Sequence, residues 1–193
     1  MNGLYSAIPD LMNRFRSSRF MIDVLNKNFL ASTADLDIVN FVELDDDEFL
    51  DEIEKFLLRA VPLDKEVVTP ILERNPVEEI RSLFKQAFTE DYSEWDLLES
   101  ALRLGGAEVH FASTVLFLAT QGRCIMYHDH LYHALSHLYP GEFDAEFEIP
   151  TDPLSYYRFL FYCYALAETY EFRSVSELYH FLWYGHHTNW EFD

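Results

Sequence analysis

From Phe111 to Leu118 the chain offers almost no polar face. Phe111, Val115 and Leu118 fall at helical spacing, with Leu116 and Phe117 beside them. A helix that is apolar all round must be buried all round, which commits the chain to a body of several packed helices. Gly105-Gly106 precedes it and can supply the positive φ of a tight interhelical turn. Gln121-Gly122 ends it. Asp129 then stands at the start of a second helix, where the helix dipole favours a carboxylate. Leu104 to Leu138 therefore reads as a turn, a buried helix, a short connection and another helix.

The rest of the chain repeats the helical signature. Leu4, Ile8, Leu11, Met12 and Phe15 keep a helical period, which Phe20, Val24 and Leu25 continue. The acidic run Leu44-Asp45-Asp46-Asp47-Glu48 leads into a helix from Phe49 to Ala60 and needs no ligand to explain it. Pro70 is expected to interrupt a short helix from Asp64 to Arg74. Asn75-Pro76-Val77-Glu78 reads as an N-cap followed by Pro at the first position. Ser93-Glu94-Trp95-Asp96 resembles a capping box, with Asp in place of the usual Glu, and Trp95, Leu98, Ala101 and Leu102 then lead into the Gly-Gly turn. A polar, acidic loop covers Pro140 to Thr151. Asp152-Pro153 opens the longest helix, to about Tyr170. Ser174-Val175-Ser176-Glu177 is a full capping box, and Gly185 is expected to stop the last helix after Tyr184. No stretch alternates apolar and polar residues as a half-buried strand does. The expected fold is all-α, a compact domain of roughly eight to ten helices. Residues 1–74 form an N-terminal helical region with the acidic segment. Residues 75–193 carry the rest of one continuous core.

Charge bounds the partners. The chain of 193 residues has net charge −20, with 34 acidic and 14 basic residues. Only Lys27, Lys55, Lys65 and Lys85 are lysines. Two readings stay open: the acidic surface of a protein from a salt-accumulating organism, or a specialised surface for basic partners. Under both, non-specific attraction to DNA is weak at ordinary salt, because displacing phosphate counterions needs Lys and Arg. Arg14, Arg16 and Arg19 form the one basic patch and read as a solvated face. Cys124 and Cys163 read as buried thiols. No signal peptide or membrane-spanning run is evident, and cytoplasm follows by elimination.

Leu104-Gly105-Gly106-Ala107-Glu108-Val109-His110-Phe111-Ala112, followed by Asp129, resembles the helix-hairpin-helix superfamily of base-excision DNA glycosylases. That family has a hairpin of the form L-P-G-V-G-x-K-x-A and then a catalytic Asp in a V-D-x-H context. A looser glycosylase-like branch carries a G-V-x-V-A-S-A-x-L run, an I-D step and a D-x-A-L-W motif. Ala112-Ser113-Thr114-Val115-Leu116, Ile125 to Asp129, and Leu178-Tyr179-His180-Phe181-Leu182-Trp183 look like those pieces. The resemblance covers roughly the second half of the chain. It implies a helix-hairpin-helix motif, a phosphate site at Gly105, Gly106 and Glu108, a catalytic Asp129, and DNA or a DNA-processing protein as partner. His110 replaces the nucleophilic lysine of bifunctional members, and Glu108 replaces the second hairpin glycine. A glutamate there puts negative charge where the phosphate would sit.

The residues themselves offer further candidates. His128, His130, His133 and His137 with Asp129 form the densest titratable cluster. Neither H-E-x-x-H nor a cysteine pair accompanies them, so no metal and no cofactor is expected. Asp129 could stabilise positive charge on a sugar as a base leaves, or cap its helix. His110 could act as acid or base near neutral pH, or sit as a polar residue at the hairpin rim. Trp183 and Tyr184 could stack a flipped base, or pack the last helix. The resulting expectation is a divergent glycosylase-like protein without efficient base excision, acting through a macromolecular partner. The alternatives are a monofunctional glycosylase using Asp129, and an acidic decoy that blocks a DNA-binding protein.

Overall fold

The computed structural model describes residues 7–21, 41–60, 63–89, 92–139 and 149–192. Among them are nine helices and no strand, so the all-α expectation holds. No described helix is long and apolar enough to cross a membrane. Val24, Leu25 and the loop over 140–148 lie outside the described residues. The described residues form two compact units, 7–21 with 125–192, and 41–124.

The second of these holds α2 (Asp46–Ala60), α3 (Lys65–Arg74), α4 (Val77–Thr89), α5 (Glu94–Leu102) and α6 (Val109–Ala119). The acidic run starts α2 as expected: the Glu48 N–H donates to Asp45 Oδ1 at 3.0 Å, and three acids fill the first turn. Arg81 of α4 fastens the segment ahead of α2. Its guanidinium donates to the carbonyls of Val42 and Leu44, pairs with Asp46 at 2.8 Å, and lies 4.3 Å from the Phe49 ring centre.

Pro70 does not interrupt α3, which runs unbroken through it. The missing donor costs one bond in the middle of the helix. Val68, Ile71 and Leu72, buried on either side of Pro70, hold the helix by packing. Ser93 accepts from the Asp96 N–H at 3.0 Å, completing half of the expected capping box. Trp95 is 42% exposed, while Leu97, Leu98 and Ala101 face the core. In α6 every residue from Phe111 to Leu118 is buried, including Ser113 and Thr114. Its end is a Schellman motif: the Gly122 N–H donates to Phe117 O at 2.8 Å, and Gln121 and Gly122 both take positive φ.

The first unit holds α1 (Ile8–Ser17), α7 (Asp129–Leu138), α8 (Pro153–Thr169) and α9 (Val175–His187). Asp152 and Ser155 form a reciprocal capping box at the start of α8. The core is aromatic. Phe181 of α9 has Phe15, Phe172, Trp190 and Phe192 around it, at ring-centre distances of 5.3 to 5.8 Å. Both cysteines are buried and free.

Arg16 is not part of a solvated face. It holds the buried Glu177 through Nε at 2.8 Å and a second nitrogen at 3.2 Å. Gly185 does not stop α9, which continues to His187. A glycine there lets the Trp190 indole lie directly against the helix, where a Cβ would collide with it.

Candidate functional site

The hairpin region is built in the second unit. α5 and α6 pack together, joined by a turn in which Gly106 has φ +85°. That conformation is open to glycine at no cost. The turn is clamped by a residue that sequence reasoning assigned elsewhere. Asn75 does not cap α4. Its side-chain oxygen accepts from the Gly105 N–H at 2.7 Å, and its amide donates to Gly105 O at 3.0 Å and to Ile71 O at 2.7 Å. The Ala107 N–H is turned inward to Leu104 O at 3.0 Å. Arg74 lies over Gly106, with one guanidinium nitrogen 3.0 Å from where a Cβ would stand.

Glu108 is the exposed N-cap residue of α6 and makes no side-chain cap bond. Its carboxylate still complements the positive end of the helix. His110 sits half-buried in the first turn, and its carbonyl accepts from the Ser113 hydroxyl at 3.1 Å. Gly105, Gly106, Glu108 and His110 thus belong to one turn and the helix it opens.

The other candidates fall in the first unit. His128 is the N-cap of α7, its ring accepting from the His130 N–H at 3.2 Å. Asp129 is the first helical residue and does not provide the cap. Its exposed carboxylate accepts from the Tyr127 hydroxyl at 2.8 Å. Burial, then the hydrogen bond to Asp129, push the Tyr127 hydroxyl far above its ordinary value, so it stays a donor.

Around that helix start lies a cluster of imidazoles and indole. His130 of α7 has His128 at 4.6 Å, His186 at 4.7 Å and His187 at 4.6 Å, ring centre to ring centre. His133 lies 6.0 Å from His186. Trp183 covers the inner side, at 5.0 Å from His128, 5.3 Å from His130 and 4.6 Å from His187. The spacing on α7 revealed His128, His130 and His133. It could not reveal His186 and His187, which arrive from the end of α9. The ring contact of His137 is with Trp190, at 6.5 Å. Among the described residues no group of three or more His, Cys, Asp or Glu is arranged to hold a metal ion.

Trp183 and Tyr184 do not share a pocket. Trp183 faces the imidazoles, whereas Tyr184 stacks on Phe20 at 4.4 Å. Adjacent residues point about 100° apart on a helix, so the two rings cannot sandwich one base.

Two imidazoles of the cluster, His130 and His186, are held below the ordinary histidine value. Burial lowers His130 and His186 first, and neighbouring imidazoles lower them further: His128, His187 and His133 for His130, and His130, His187, His133 and His137 for His186. Asp129 opposes this at His130. An unfolded chain protonates its histidines near pH 6.5, before these two accept protons in the fold. The fold should therefore lose stability as pH falls from about 6.5 through the lowered folded values. Urea unfolding of wild type and His130→Gln between pH 7.5 and 5 checks this. The variant is expected to show the shallower decline, and equal slopes would count against the assignment.

No protein-family model, curated protein or solved structure matches the chain.

Proposed function

We propose that this chain is a binding protein that works through a macromolecular partner, with a glycosylase-like hairpin but no working base-excision site. The observation that carries this reading is the Asn75 clamp. A phosphate-binding hairpin needs backbone N–H groups turned outward to the anion. Here the Gly105 N–H is already bonded to Asn75 at 2.7 Å, and Glu108 adds an exposed carboxylate beside the turn. Asp129, the candidate for excision, is held by the Tyr127 hydroxyl and bordered by imidazoles that already touch Trp183. No stacking slot for a flipped base opens between Trp183 and Tyr184.

One observation favours the alternative of a monofunctional glycosylase: Arg74 sets a cation over Gly106, where a phosphate would approach. Incubation with duplexes carrying a panel of damaged bases, at low and at molar salt, separates the readings. The expected result is no base release, with wild type and Asp129→Asn indistinguishable. Release that disappears in Asp129→Asn would overturn the proposal.

A further inference from the structure

We propose that the start of α7 is a proton-operated catch: His128 caps the helix only while its ring is neutral, and acidification frees the first turn of α7 from the last turn of α9.

His128 holds three amides at the head of α7. Its ring Nδ1 accepts from the His130 N–H at 3.2 Å, and its carbonyl accepts from the Leu131 and Tyr132 N–H groups at 2.9 and 3.2 Å. The carbonyl bonds are indifferent to pH, but the ring bond is not. A ring nitrogen accepts only through a free lone pair, and in imidazolium both ring nitrogens are donors. Cap and proton therefore compete for one lone pair. A protonated ring would turn an N–H against the His130 N–H and set a positive charge at the positive end of the helix dipole. The usual caps, Ser, Thr, Asn and Asp, undergo no such change near neutrality. The starts of α8 and α9 are capped in that way, by Asp152 and Ser174.

The same protons act across the contact between α7 and α9. The His130 ring meets His186 and His187, in the last turn of α9, at 4.7 and 4.6 Å. On its own helix it meets His128 at 4.6 Å, and His133 lies 6.0 Å from His186. Neutral imidazoles pack at these distances as other rings do, whereas imidazoliums repel. Against the histidines stands the carboxylate of Asp129, which favours a charge on His130 and is itself held by the Tyr127 hydroxyl. His137 adds like charge at His186. One carboxylate balances one imidazolium, so the second proton drives the helices apart while the first undoes the cap. Both His130 and His186 are held below the ordinary histidine value, which keeps the catch closed at neutral pH and opens it as pH falls from about 6.5. Trp183, packed against His128, His130 and His187, then loses its cover.

Amide hydrogen exchange by NMR between pH 7.5 and 5.5, with each rate referred to its intrinsic value at that pH, tests the proposal. In wild type the protection of the His130, Leu131 and Tyr132 amides should fall about five- to tenfold, the scale of a lost cap. The Ser155 and Tyr156 amides, held by Asp152, should keep theirs. His128→Asn supplies a cap that does not titrate in this range, and His128→Ser supplies a smaller one. Both should retain most of the protection at pH 5.5, and adding His130→Gln with His186→Gln should remove the remaining fall. Constant protection in wild type would overturn the proposal. So would a fall shared equally by the start of α8, or one that His128→Asn and His128→Ser leave as large as before.

Discussion

Glu177→Ala is expected to destabilise the first unit by about 3–5 kcal/mol, the range for breaking a buried ion pair from one side. For a chain of this size that lowers the melting temperature by about 10 °C. Glu177 is 1% exposed, and its carboxylate has three donors: Arg16 Nε at 2.8 Å, a second Arg16 nitrogen at 3.2 Å, and the Arg173 N–H at 2.6 Å. The Glu177 N–H meanwhile donates to the Ser174 hydroxyl at 3.1 Å. Arg16 also donates to Glu171 O at 2.9 Å, so one guanidinium ties α1 to the turn that opens α9. Truncation strands that guanidinium and opens the cap together. Pairing Arg16→Met with Glu177→Leu should recover much of the loss, because neither charge is then left alone.

The same pair fixes an acid limit. Burial by itself pushes the Glu177 carboxyl up. The Arg16 hydrogen bond, the Arg173 N–H and the charges of both arginines outweigh it, so the carboxyl is held below its ordinary value. Its stabilisation is present above about pH 4.5 and is lost as pH falls through the lowered folded value. That window lies below the one set by His130 and His186. Thermal denaturation across the acid range should therefore show an added loss of stability in wild type below about pH 4.5, which Glu177→Ala should remove.

Local chemistry made the helices legible. The cap at Asp152, the acids ahead of Phe49, the apolar run of α6 and the Gln121-Gly122 stop each act within a few residues, and each lies where its sequence places it. What escaped reading acts over distance. Asn75 has the residue type of a helix cap, yet its partner is thirty residues away at Gly105. Ser174 to Glu177 has the letters of a capping box. The Glu177 carboxylate nevertheless turns to the Arg173 N–H and to Arg16, on another helix. Local bonds compete with such tertiary partners, and a charged partner from another helix wins because its hydrogen bonds are stronger. The histidine cluster divides the same way: its α7 half is visible as spacing, and its α9 half arrives only by packing.

Gly185→Ala carries the second large effect. Alanine is the better helix former by about 1 kcal/mol, so on propensity alone the change should stabilise α9. The packing reverses that sign. The Trp190 indole lies flat where the new methyl would go, closer than any side chain tolerates. Trp190 cannot easily retreat. It is 5% exposed, its backbone N–H donates to Gly185 O at 2.8 Å, and its ring contacts Phe181 and Phe192. Its backbone is already in the left-handed region at φ 64°, with Asn189 at 49° before it, a conformation that costs a bulky residue about 1–2 kcal/mol. Backbone bonds close that turn, Trp190 N–H to Gly185 O at 2.8 Å and Glu191 N–H to Thr188 O at 3.1 Å, and the seated indole holds it against the helix. Unseating it should loosen the turn and take one ring neighbour from each of Phe181 and Phe192. We expect a net loss of about 2–3 kcal/mol, near the upper end for an overpacked core, read by urea unfolding with tryptophan fluorescence. Trp190→Leu removes the obstacle at its own cost in lost packing. In that background Gly185→Ala should be neutral or stabilising. A Gly185→Ala penalty that is the same with Trp190 and with Leu at position 190 would show that the glycine is needed for something other than the indole.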